Sequence, residues 1–174
     1  MATLAVGSLP IDVALNTTTR RAYVPNGCDK TVSVIDMDAL TVVETVDVGG
    51  PYLTGSCLNY LHSSAVDASR NLVYLTSPYD ETVYVLDGST NTITSSIVVG
   101  GEPAGVDVSA ATGRLWVTDI AASRNLVHVY DTSTNAKIAE LAAGHYPVAV
   151  AVNGAANRAY VSNTFIHQVT VFRG

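Results

Sequence analysis

Four variants of one short phrase recur along the chain, and that recurrence limits it to architectures built from near-identical units. The runs Tyr23-Val24-Pro25-Asn26, Tyr74-Leu75-Thr76-Ser77, Trp116-Val117-Thr118-Asp119 and Tyr160-Val161-Ser162-Asn163 occupy equivalent places in a longer unit. Gly7, Gly49, Gly100 and Gly144 frame that unit at intervals on the order of 40–50 residues.

Within each unit the pattern predicts four short strands. Three units open on a proline-led run: Pro10–Leu15, Pro103–Val108 and Pro147–Val152. The second unit writes the same run as Leu61–Val66. A polar turn leads to the aromatic phrase as second strand. A loop then leads to a third strand of near-strict alternation, Thr31–Asp36, Thr82–Asp87, Leu126–Asp131 and Gln168–Phe172. Fourth strands are expected at Val43–Val48, Thr94–Val99 and Lys137–Ala142. Alternating β-branched and aromatic residues between Asp, Gly, Ser, Thr and Asn turns specify antiparallel strands, and no stretch carries a helical period. The expectation is an all-β chain, a four-bladed β-propeller of four-stranded antiparallel blades, with residues 1–174 as one domain.

The last unit stops after its third strand, whereas Ala2-Thr3-Leu4-Ala5-Val6-Gly7 matches the fourth strands of the others. The N-terminal strand is therefore expected to close the last blade, since an open sheet edge invites pairing with other chains. The alternative is two chains that exchange N-terminal strands to form a larger ring. These motifs resemble the YVTN-type β-propeller repeat family of surface-layer-like and related secreted bacterial proteins. By repeat style the chain also resembles propellers of the virginiamycin B lyase type. That resemblance implies the propeller fold and, through lyase and lactonase relatives, an enzymatic alternative; no catalytic motif here matches theirs.

Apolar residues make up 48% of the chain and charged residues 14%, as expected where blades pack on both faces. The apolar runs have strand length, so no membrane span is expected. A net charge of −6 with only nine basic residues argues against nucleic acid as a partner. Met1–Leu4 has no basic segment, and no signal peptide is read there. Cys28 and Cys57 fall in neighbouring loops of one face, where either a disulfide or two free thiols is compatible with the sequence. A bridge would favour an extracellular or periplasmic location.

The two faces differ in chemistry. On the lower face, carrying the first-to-second-strand turns, Arg21–Asp36 and Arg114–Asp131 should pair across the ladder, with Asp36, Asp87 and Asp131 also bonding turn amides. The upper face collects the residues that depart from the repeat. Tyr60, His62, Glu102, Asp119, His145, Tyr146 and His167 are the candidate ligand-binding residues, and ordinary loop drift is the simpler account of the same divergence. His62, His145 and His167, with Glu102 or Asp119, are candidates for a divalent cation, although none has ligand spacing. Near the axis, Asp12 and Asp107 suit either buried hydrogen bonding or a cation or water column. Phosphate-loop, dinucleotide, nucleophile-elbow and zinc-protease motifs are all missing. The expected function is a non-catalytic binding or assembly module that takes a small molecule or protein on its upper face, as a monomer or a strand-swapped homo-oligomer. Asp29, Asp80, Glu81, Glu102 and Asp119 against Lys30 and Arg124 would favour neutral or cationic ligands. The alternative is a lyase or hydrolase using the upper-face His and Glu residues, with or without a metal.

Overall fold

Alternation along each strand places one set of side chains toward the preceding blade and the other toward the following one, so every blade is apolar on both faces. The computed structural model describes residues 1–49, 57, 61–121 and 124–173. Among these, blade one contains β1 (Ala14–Asn16), β2 (Arg21–Asn26), β3 (Thr31–Asp36) and β4 (Thr41–Asp47). Blade two contains β5 (Ser64–Asp67), β6 (Leu72–Ser77), β7 (Thr82–Asp87) and β8 (Thr92–Val98). Blade three contains β9 (Pro103–Ser109), β10 (Arg114–Asp119), β11 (Leu126–Asp131) and β12 (Lys137–Ala142). Blade four contains β13 (Pro147–Asn153), β14 (Arg158–Asn163) and β15 (Gln168–Arg173), with one turn of 3-10 helix at Thr164–Ile166. Every sheet is an antiparallel meander in chain order. No helix among the described residues is long and apolar enough to cross a membrane.

Three apolar cores lie between blades rather than within them. Tyr23, Val32 and Val34 of blade one meet Val73, Leu75 and Leu86 of blade two. Tyr74, Val83 and Val85 of blade two meet Leu115, Val117 and Tyr130 of blade three. Trp116, Val127 and Val129 of blade three meet Ala159 and Val161 of blade four. The aromatic that opens the repeated phrase is thus the anchor that each of the first three blades inserts toward the next.

Recurrent polar devices set the spacing at the axis. The Thr76 hydroxyl accepts from the Ser63 amide and donates to the Ala104 carbonyl of blade three at 2.7 Å. Thr118 repeats this one blade on, accepting from the Gly105 amide and donating to the Val148 carbonyl at 3.2 Å. Gly105 is required there: a Cβ would lie 2.5 Å from the Val148 carbonyl oxygen and 2.8 Å from the Ala149 Cα. Asp12 joins blades one and two by accepting from the Ser64 amide and the Ser63 and Ser64 hydroxyls. Asp107 likewise joins blades three and four through the Val152 amide at 2.6 Å, and burial pushes its pKa up. The two axial carboxylates therefore act as hydrogen-bonded connectors.

One expectation is corrected. The fourth sheet holds three strands, β13-β14-β15, and residues 2–6 pair with no ladder. Blade packing runs from β1 to β5 to β9 to β13, with no comparable packing from β13 back to β1. The four blades form an arc, and the N-terminal segment, attached to blade one, is not seated against the free edge of β15. On the lower face Arg21 and Asp36 pair at 2.6 Å as expected. Arg114 and Asp131 are cross-strand neighbours, but the Asp131 carboxylate is taken by Ser133 and Thr134 instead.

Cys28 and Cys57 are bonded, with Cα atoms 4.4 Å apart and a sequence separation of 29. By the loop-entropy argument, closing a loop of this length contributes about 3.6 kcal/mol. Adding a reductant to folded protein should therefore lower the denaturant midpoint, with no such shift in a Cys28→Ser/Cys57→Ser variant.

Candidate functional site

Upper-face side chains owe their positions to a pairing that each blade repeats in different chemistry. The residue ending the second strand, or its neighbour in the loop, reaches the third residue of the third strand. In blade one Asn26 donates to Ser33 at 3.0 Å. In blade four Asn163 donates to Thr170 at 2.9 Å. In blade two Ser77 and Tyr84 both donate to Asp80 at 2.8 Å. In blade three His128 Nε2 lies 3.2 Å from Asp119, both side chains being fully buried.

This pairing decides which expected site residues remain available. Asp119 also accepts from the Glu102 and Ala121 amides and stands 3.8 Å from Arg124. Burial pushes its carboxyl pKa up, but the bonds from His128, Ala121 and Glu102 outweigh that and hold it below the usual range. Asp119 thus organises the entrance to blade three from inside the fold. Asp80 is spent in the same way, paired at 2.6 Å with Lys30, whose side chain is fully buried. Asp29, Glu81 and Glu102 are the expected upper-face carboxylates that remain exposed.

His62 is half-buried, with Nδ1 3.3 Å from the Ala104 carbonyl of the next blade. His167 is exposed and has φ 54°, the left-handed turn position that Lys30, Glu81 and Asn125 hold in the other blades. Tyr60 lies outside the described residues. His145 and Tyr146 are brought together by a residue outside the expected set, Phe165. Its ring centroid lies 5.3 Å from that of His145 and 4.6 Å from that of Tyr146. Backbone bonds fix the trio, with Thr164 N donating to the Tyr146 carbonyl at 3.0 Å and Phe165 N to the His145 carbonyl at 3.4 Å. Asn125 of blade three accepts from the Tyr146 amide at 3.0 Å, tying this corner to the loop that follows Asp119. Phe165 is 59% exposed, so the stack presents an aromatic surface rather than a core. The available signal was its alignment with Tyr79 of blade two, also an exposed loop aromatic.

Among the described residues, no group of three or more His, Cys, Asp or Glu side chains stands close enough to hold a metal. The expected histidines do not converge: one caps an interblade carbonyl, one stacks on Phe165 and one fills a turn.

No protein-family model matches the chain. A 61-residue stretch is 43% identical to the PE-PGRS family protein PE_PGRS18 of Mycobacterium tuberculosis, covering 35% of this chain and 13% of that protein. Among solved structures, hydrazine synthase of Kuenenia stuttgartiensis superposes over 99% of this chain and 48% of its own, with TM-score 0.83 and 16% identity. Saccharomyces cerevisiae Sqt1 superposes over 94% of this chain and 46% of its own, with TM-score 0.76 and 10% identity. Both contain propellers, and at these identities the likeness establishes the fold alone. The chain spans about half the length of the solved chains it resembles.

Proposed function

We propose that residues 1–174 form one propeller domain that acts as a non-catalytic binding or assembly module. Its contact surface is the upper rim over blades three and four. The observation that carries this reading is the exposed His145–Phe165–Tyr146 stack, held by backbone hydrogen bonds on loops that depart from the repeat. Glu102 is exposed at the entrance to blade three, and the loop bonded to its backbone leads on to Asn125 beneath Tyr146. An exposed aromatic face, on a rim that also carries the exposed Glu102, favours neutral or cationic ligands, with each cation–π contact giving roughly 0.5–2 kcal/mol. The YVTN-like phrase and the bonded cysteines agree with a secreted, surface-associated protein in an oxidising compartment. No observation favours the enzymatic alternative, because His62 and Asp119 are already committed to internal bonds.

Titration with tetramethylammonium, followed by NMR of the aromatic resonances, tests the surface. Shifts are expected in the Phe165 and Tyr146 rings, with affinity falling about tenfold in Phe165→Ala and less in Glu102→Gln. Equal binding by wild type and both variants would remove this surface from consideration.

A further inference from the structure

The two ends of the arc are the two halves of an interface that the molecule already builds three times. At the far end, Tyr160, Val169 and Val171 occupy the positions that Tyr23, Val32 and Val34 hold in blade one, Tyr74, Val83 and Val85 in blade two, and Trp116, Val127 and Val129 in blade three. Those nine counterparts are all 4% exposed or less, whereas Tyr160, Val169 and Val171 are 37%, 60% and 47% exposed. At the near end, Ile11, Val13 and Leu15 are 39%, 56% and 51% exposed, while Ala104 and Val106, at the first two of these positions in blade three, are 0% and 5%. Each end displays the half that the other lacks.

Polar groups match as well. Ser162 holds the place of Thr76 and Thr118, and it accepts from the Ala149 amide as they accept from Ser63 and Gly105. Thr76 and Thr118 donate onward to the first strand of the next blade, at Ala104 and Val148. The equivalent acceptor for Ser162 is the carbonyl of Ile11, at the opposite end of the arc. The outer edge of blade four follows the same logic. In the other blades the fourth strand precedes the framing glycine that leads into the next blade. Residues 2–6 precede Gly7 in that relation to blade one, and β15 lacks an outer neighbour. Beside that vacant position, Trp116, Val129, Ile138, Ala139 and Leu141 of blade three line an open groove of about 350 Å³.

We propose that a second copy of this chain completes the ring. Blade one of each copy seats on blade four of the other, and residues 2–6 of each copy add the missing outer strand to the other's β15. The contact is head to tail, and two arcs close it with two-fold symmetry. Doubling the blade count stays within the usual range of about four to eight.

Sedimentation velocity on the whole chain tests the assembly. The expected result is a species of twice the chain mass that persists into the micromolar range. Tyr160→Asp should raise the dissociation constant at least about thirtyfold, the scale for truncating a buried interface tyrosine, while leaving the far-UV circular dichroism unchanged. Orientation is read with two single-cysteine variants, Ile11→Cys and Ser162→Cys, and a short thiol-specific cross-linker, since Cys28 and Cys57 are bonded. Mixing the two variants should give a cross-linked dimer, and neither alone should. A folded monomer at all concentrations overturns the proposal, as does a mass that grows past two chains, or self-cross-linking of either variant alone.

Discussion

Asp80→Ala should lose about 3–5 kcal/mol of unfolding free energy in a denaturant titration, the cost of breaking a buried ion pair from one side. The Lys30 side chain is fully buried and its amine lies 2.6 Å from Asp80, so removing the carboxylate strands a positive charge between blades one and two. The Ser77 and Tyr84 hydroxyls lose their acceptor in the same step. Replacing both charges, Lys30→Met with Asp80→Leu, should restore part of the loss, because no buried charge is then left unpaired, while the Ser77 and Tyr84 hydroxyls still lack their acceptor. The pair also shapes the acid limb of stability. Burial pushes the Asp80 pKa up, but hydrogen bonds from Lys30, Ser77 and Tyr84 outweigh it and set the folded value below the usual one. A carboxylate with a depressed folded pKa stabilises fully above its unfolded value of about 3.9, and that contribution fades as pH falls through the folded value. Asp119 is shifted in the same direction. Wild-type protein should therefore weaken below about pH 4, and Asp80→Asn should flatten part of that slope. An Asp80→Ala protein with a wild-type denaturant midpoint would contradict the buried pair.

Trp116→Ala should cost about 3–5 kcal/mol, the range for truncating a large buried aromatic. Trp116 packs between blades three and four with its ring 6.0 Å from that of Phe172, and it lines the groove beside Val129 and Leu141. Blade four has only three strands and one packed face, and Trp116 is the largest side chain in the core that joins it to blade three. Loss of this anchor should loosen blade four first. Hydrogen exchange should then quicken across β13 to β15 before it quickens in β5 to β8. Uniform exchange across all four blades would show that the units do not depend on Trp116 in this local way.

Most of the scaffold was legible in the sequence because its signals are periodic. The third strands at Thr31–Asp36, Thr82–Asp87 and Leu126–Asp131 match the expected spans, since strict alternation between turn residues leaves little freedom in their limits. The first strands of blades one and two begin later than the pattern suggests, at Ala14 and Ser64. There the Asp12 carboxylate bonds the amides of Val13, just before β1, and of Ser64, the first residue of β5. Closure by residues 2–6 could not be judged from repeat matching: the match says which position a strand fills, not whether four blades curve enough to bring that position within reach. On the upper face, sequence divergence marked the right region but could not separate inward from outward residues. Asp119 and Asp80 diverge because each solves the interior pairing of its own blade. His145 and Tyr146 lie at the surface, and Phe165, which joins them, sits one loop further along the chain. That contact is a tertiary one, without a signature in spacing.

The bond between Cys28 and Cys57 encloses β3, β4 and the exposed turn of Asp38, Ala39 and Leu40 within one covalent loop. Turn tips of this kind are favoured sites of proteolytic nicking. A peptidase that cuts there divides the polypeptide without releasing either piece, because the sulfur link spans the break. Wherever that link stays oxidised, such a molecule would outlast its own first cleavage as a single tethered body.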